Sequence, residues 1–180
     1  MAEFHITLEW EEPPHSRAPE LNATWARLAI YADQVPVTKV EDHRSRGVRD
    51  GIYVPLYPIA EWMVSNWWFL WHEWRMDRPD ARHNLLSARE GFALPDLSFN
   101  PTETRMSLAW RRRANQFGRV SFLTEGSRVL FKDVVQQELR SFVDAVVQRL
   151  DDQGIAASFL AQRVAGGSQC GERSRSTEFL

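Results

Sequence analysis

Five of the chain's eight tryptophans fall between Trp62 and Trp74, in the run Tyr57-Pro-Ile-Ala-Glu-Trp-Met-Val-Ser-Asn-Trp-Trp-Phe-Leu-Trp-His-Glu-Trp74. Indole is large, costly to leave in water, and carries an N–H that needs an acceptor when buried. A segment so loaded forms either the centre of a core or a binding surface. Pro58 suits the first turn of a helix, so a helix is predicted from Pro58 to about Arg75. On a wheel of about 100° per residue, Ile59, Met63, Trp67, Leu70, Trp71 and Trp74 share one broad arc, an ordinary core face. Glu61, Ser65, His72 and Arg75 lie roughly opposite. Trp68 falls among that polar group, and Trp62 with Phe69 forms a second apolar patch beside Asn66 and Glu73.

Trp62, Asn66, Trp68, Phe69 and Glu73 are therefore the candidate ligand- or partner-binding set, because aromatic walls with a few convergent polar groups describe small-molecule sites. Asn66 and Glu73 are seven residues apart and stack on one helical face. A buried carboxylate there needs a partner, from Arg49, Arg82 or a ligand. The simpler expectation is that the helix is core on most sides, packed by sheet and by helix or loop.

Periodicity sorts the rest of the chain. Phe4, Ile6, Leu8 and Trp10 alternate with polar residues, as in a half-buried strand. Glu11–Pro19 reads as a loop. Trp25–Ala32 and Val35–Val40 flank Asp33-Gln34 as a β-hairpin without glycine in its turn. Glu41–Asp50 reads as a charged connection, and Ile52–Leu56 as a short strand or an extended entry to the next helix. Ala81–Glu90 is predicted as a short helix and Leu94–Thr104 as a loop. Arg105–Trp110, Arg119–Leu123 and Arg128–Phe131 are three further strands, the last two joined as a hairpin around Glu125-Gly126. Apolar residues from Val134 to Leu150 recur at helical spacing, with Asp133 as N-cap and Gly154 as stop. Ile155–Val164 reads as a short helical segment. The expected fold is α+β: two antiparallel β-meanders or hairpins packed around the Trp-rich helix and a C-terminal amphipathic helix. It forms one domain over 1–165, with a disordered polar tail over 166–180.

The chain's 180 residues and net charge of −2 suit one globular domain and rule out a globally basic nucleic-acid binder. One cysteine, Cys170, excludes an intrachain disulfide. The N-terminus has neither the basic nor the apolar region of a secretory signal. A cytoplasmic protein is expected, with no membrane span: the stretch Ile52–Trp71 is interrupted by Pro55, Pro58, Glu61, Ser65 and Asn66. No phosphate loop, nucleophile elbow or Cys–His pair is present, so no enzymatic activity and no cofactor are expected. His72, Asp77, Asp80 and His83 match no compact metal-ligand spacing, and no metal site is assigned. Arg105, Arg111, Arg112, Arg113 and Arg119 form the strongest charge feature, a candidate nucleic-acid-binding patch. The plainer expectation is a solvated strand edge kept from pairing by its charge. Met106, Leu108 and Trp110 alternate inward against them.

The block from Val48 to Trp62, VRDGIYVPLYPIAEW, followed by Asn66-Trp-Trp68, Phe142-Val, Gln148-Arg-Leu150 and Gly154, resembles the region that precedes the protease in bacterial ImmA/IrrE-type metallopeptidases. The resemblance spans residues 24–165. That family cleaves with a zinc-binding His-Glu-x-x-His helix, and this chain has none; after His72-Glu73, Met76 stands where the second histidine belongs. No catalytic or metal residue carries over. The resemblance implies a non-catalytic regulatory or sensor module of a stress-response or phage-related mobile-element setting, engaging a protein partner or small ligand. A nucleic-acid-associated protein is the alternative.

Overall fold

A computed structural model describes residues 3–14, 17–75, 84–86, 94–112 and 120–156. Its strands pair antiparallel throughout, in three sheets, and the class is α+β. In the first sheet β1 (Phe4–Trp10) pairs with β2 (Trp25–Ala32), in register from Phe4 opposite Ala32 to Trp10 opposite Ala26. Alternation sends Phe4, Ile6, Leu8 and Trp10 to the face shared with Ala26, Leu28, Ile30 and Ala32. Between the strands lies α1 (Pro19–Ala23), a short helix that begins at the last residue of the expected loop.

After β2 the chain reverses at Asp33 and Gln34, whose φ angles are 53° and 65°. Two positive φ values mark a type I′ turn, the form that matches strand twist. Left-handed backbone costs an L-residue about 1–2 kcal/mol. Gln34→Gly is therefore expected to stabilise the fold by about 0.5–1 kcal/mol, after glycine's extra unfolded-state entropy. A rise in the urea midpoint at constant slope measures it. The hairpin is short: β3 (Val35–Pro36) pairs with only Tyr31 and Ala32. β6 (Ile52–Pro55) takes the rest of that edge of β2.

The second sheet corrects two expectations. Residues 41–50 are not a mere connection: β4 (Lys39–Asp42) and β5 (Val48–Asp50) form a hairpin there. β10 (Val120–Phe122) pairs with β4 rather than with the strand after Gly126. In β4 and β5 the charged residues Lys39, Glu41, Asp42, Arg49 and Asp50 are half-buried and leave no apolar alternation to read. Gly51 links β5 to β6 at φ +109°, and a Cβ there would lie 3.0 Å from the Leu28 carbonyl oxygen, so only glycine fits.

The third sheet runs β11 (Gly126–Phe131), β9 (Arg105–Arg111), β8 (Asp96–Pro101), β7 (Leu85–Leu86). β8 lies in the expected loop, and its alternating Leu97 and Phe99 are buried. β7 falls inside the expected Ala81–Glu90 helix; the remainder of that segment lies outside the described residues, as do the Ile155–Val164 segment beyond 156 and the 166–180 tail. On β9, Met106, Leu108 and Trp110 are buried as expected.

α4 (Lys132–Asp152) buries Val135, Leu139, Phe142, Val143, Val146 and Leu150 and packs against β1, α2 (Tyr57–Ser65) and β11. Its N-cap is Phe131 rather than Asp133, which sits in the first turn. At its end Gly154 has φ +69°, and Gly154 N–H and Ile155 N–H donate to the Asp151 and Leu150 carbonyls, both at 2.9 Å. That is the Schellman pattern, for which glycine is the natural residue. α4 also closes the open edge of β1, where Glu138 Oε2 accepts the Ile6 N–H at 3.2 Å. No helix among the described residues is long and apolar enough to cross a membrane.

Candidate functional site

The tryptophan helix is two helices. α2 ends at Ser65 and α3 (Trp67–His72) begins after Asn66, followed by a 3₁₀ turn at Glu73–Arg75. Asn66 makes the break. Its backbone N–H and its side-chain Nδ2 both donate to the Trp62 carbonyl, at 3.0 and 2.9 Å, a local bond that competes with helix continuation. The break leaves the phase nearly intact: Glu61, Ser65, Trp68, His72 and Arg75 stay on the exposed or half-exposed side, and Trp74, in the 3₁₀ turn, leaves the expected core arc. Trp62 (8% exposed) and Trp71 (2%) are core, Trp67 is half-buried, and Trp68 (48%) and Trp74 (39%) are open to solvent. Trp74 was expected in the core arc with Trp71, and Trp62 outside it; their places are exchanged.

The five candidate side chains face different surroundings. Trp62 packs against Phe99 at 6.4 Å between ring centroids. Asn66 is bound to its own helix, and Phe69 meets the edge of Trp68 at 5.3 Å. Glu73 is buried, and its Oε2 accepts from Asn84 Nδ2. Arg49, one expected partner for Glu73, pairs instead with Asp42 at 3.3 Å; Arg82 lies outside the described residues. Of the five, Trp68 stands beside a cavity-lining group: its ring lies 5.6 Å from that of His72.

His72 belongs to a cleft of about 450 Å³ between the end of α3, the turn joining β8 to β9, and the start of α4, within the ~300–1,000 Å³ usual for small-molecule sites. Trp71 and His72 come from α3, Glu103 and Thr104 from the turn, and Phe131, Lys132, Asp133 and Gln136 from α4 and its approach. Lys132 joins the three. Its Nζ donates to the Trp71 carbonyl at 2.6 Å and to the Thr102 carbonyl at 2.9 Å, and sits 5.6 Å from the Trp74 ring. The Trp71 carbonyl also accepts the Trp74 indole N–H, at 3.2 Å. A lysine in the first turn of a helix opposes that helix's dipole; Lys132 instead places its charge at the C-terminal end of α3, where cations are favoured. Burial, then the nearby Arg75, hold the Lys132 ammonium below its ordinary value, against the raising influence of Glu103.

His72 is pushed below its usual 6.5 by burial first, then by Lys132 and Arg75, so at neutral pH it is an uncharged imidazole able to donate and accept. The unfolded chain therefore takes up the His72 proton at a higher pH than the folded chain. Stability is expected to be unaffected by this group above about 6.5 and to fall as the pH drops below that value towards the folded-state pKa. Thermal melts between pH 7.5 and 5 test it: the acid slope should flatten in His72→Gln, and an unchanged slope would contradict the assignment.

Sequence reasoning missed Lys132, Glu103, Thr104, Phe131 and Gln136. One signal was present, a lysine at the head of the longest helix in a chain whose other cations are nearly all arginine.

The arginine patch is not one surface. Arg105 and Arg111 are exposed on one face of β9, about 20 Å apart at strand rise. The Arg105 guanidinium lies 3.8 Å from the Phe131 ring centroid, Arg111 stands across the ladder from Asp96, and Arg112 lies 3.7 Å from Glu125. Arg113 and Arg119 lie outside the described residues. His43 Nε2 and Ser121 Oγ are 2.7 Å apart and exposed, but no described carboxylate orients the imidazole as a nucleophilic triad requires. No group of three metal-ligating side chains occurs among the described residues.

Compared with known proteins, the chain matches no family model, no curated protein and no solved structure.

Proposed function

We propose that the chain is a non-catalytic binding module that holds a small polar ligand in the cleft between α3 and α4. The observation that carries this is the pairing of exposed aromatics with lining polar groups: Trp68 sits against His72, and Trp74 against Lys132. Large apolar side chains left in water at a polar cavity supply contact area, and the polar groups supply orientation. His72 and Gln136 have no hydrogen bond among the described residues that would occupy them. The setting implied by the ImmA/IrrE resemblance is regulatory, cytoplasmic, and of stress-response or mobile-element kind, with ligand occupancy as the signal.

Nucleic-acid binding draws on Arg105, Arg111 and Arg112, each already engaged by a neighbour or a facing acid, and is the weaker reading.

Saturation-transfer NMR of the full chain against amino acids, nucleosides, monosaccharides and short carboxylates tests the proposal. Binding compounds are expected, and they should be lost in the Glu103→Ala/Gln136→Ala variant, whose altered residues are exposed and carry little of the fold. A silent library, or binding that persists in the variant, would refute the proposal.

A further inference from the structure

The charges at the cleft restrict what can enter it. We infer that it takes a small zwitterion, a compact molecule carrying an ammonium group close to a carboxylate, as an α-amino acid does. This rests on the cleft being a binding site at all.

Charges of both signs line the cavity, and they are not paired with each other. Glu103 and Asp133 are exposed and form no ion pair among the described residues; Asp133 Oδ1 accepts only the adjacent Val134 N–H, at 2.9 Å. Lys132 directs two of its three N–H groups to carbonyls, which leaves one donor and its charge. Arg75 adds a second cation close enough to act on both His72 and Lys132. The uncharged imidazole of His72, with Thr104 and Gln136, adds groups that donate and accept.

This mixture discriminates by repulsion as well as attraction. A simple cation attracted to Glu103 and Asp133 is opposed by Lys132 and Arg75. A simple anion attracted to Lys132 is opposed by the two carboxylates. A ligand with both charges satisfies each set and escapes both penalties. Size agrees: about 450 Å³ holds an amino acid with its water and is too small for a long peptide. Trp71 and Phe131, which line the cleft, offer apolar walls for a side chain.

Isothermal titration calorimetry of the full chain tests the inference, using the twenty L-amino acids singly and, for each that binds, the matching amine without the carboxylate and the matching acid without the amine. At least one zwitterion is expected to bind with a Kd of about 1 mM or tighter, and each half-ligand about tenfold more weakly or worse. Glu103→Gln and Asp133→Asn should each weaken the zwitterion several-fold while leaving the half-ligand acid unchanged or tighter. Binding of the amine alone as tightly as the zwitterion would overturn the inference, as would the absence of binding by any zwitterion. If nucleosides or sugars bind at the cleft and amino acids do not, the inference falls and the binding module stands.

Discussion

Asn84→Leu is expected to destabilise the protein by about 1–3 kcal/mol, the usual cost of leaving a buried polar group without its hydrogen bond. Glu73 is 1% exposed, and Asn84 Nδ2 is its donor; Glu73 Oε1 and Asn84 Oδ1 have no partner among the described residues. Removing the amide leaves the carboxylate with no described hydrogen bond, out of water, between the 3₁₀ turn and β8. Replacing both groups removes the unmet demand along with the bond, and paired apolar replacements can be nearly neutral. Glu73→Leu/Asn84→Leu should therefore recover most of the loss. Urea denaturation of the two variants and the parent decides it. A single variant that loses under about 1 kcal/mol, or a double variant no better than the single, would contradict the description of this pair.

Trp71→Ala should cost about 3–5 kcal/mol, the range for emptying a large aromatic site in a core. Trp71 packs edge-on against Trp67 at 5.3 Å and its carbonyl receives both Lys132 and Trp74. Trp62→Ala belongs in the same class. Trp68→Ala, at a side chain nearly half exposed, should stay within about 0.5 kcal/mol. Denaturation midpoints for the three variants give the comparison directly. A large loss at Trp68, or a small one at Trp71, would reverse the division between fold and surface.

The class of fold was legible because alternation and helical spacing are local. β1, β2, β9 and α4 each show their period in the residues they span. Sheet membership was not legible: β10 and β11 follow each other closely yet pair with β4 and β9, a choice made by distant partners. β8 carried the alternating Leu97 and Phe99, but Pro95 and Pro101 at its margins gave it the look of a loop. The wheel describes the tryptophan run as far as the 3₁₀ turn, where Trp74 leaves the core arc. Asn66, polar and pocket-facing on the wheel, instead bonds the Trp62 carbonyl through its short amide. The cleft was hidden for a related reason. Its groups come from three separate stretches, 71–72, 103–104 and 131–136, and Lys132 bridges them through backbone carbonyls that no side-chain pattern reveals.

A chemical-shift map with a cleft-binding compound tests the central claim most directly. Amide and indole resonances of the full chain are followed by ¹H–¹⁵N NMR as the compound is added. Shifts are expected to concentrate at 71–75, 102–104 and 131–136, with the Trp68 and Trp74 indoles among the largest. Shifts centred instead on the exposed face of β9, around Arg105 and Arg111, or spread without a centre, would contradict a binding site between α3 and α4.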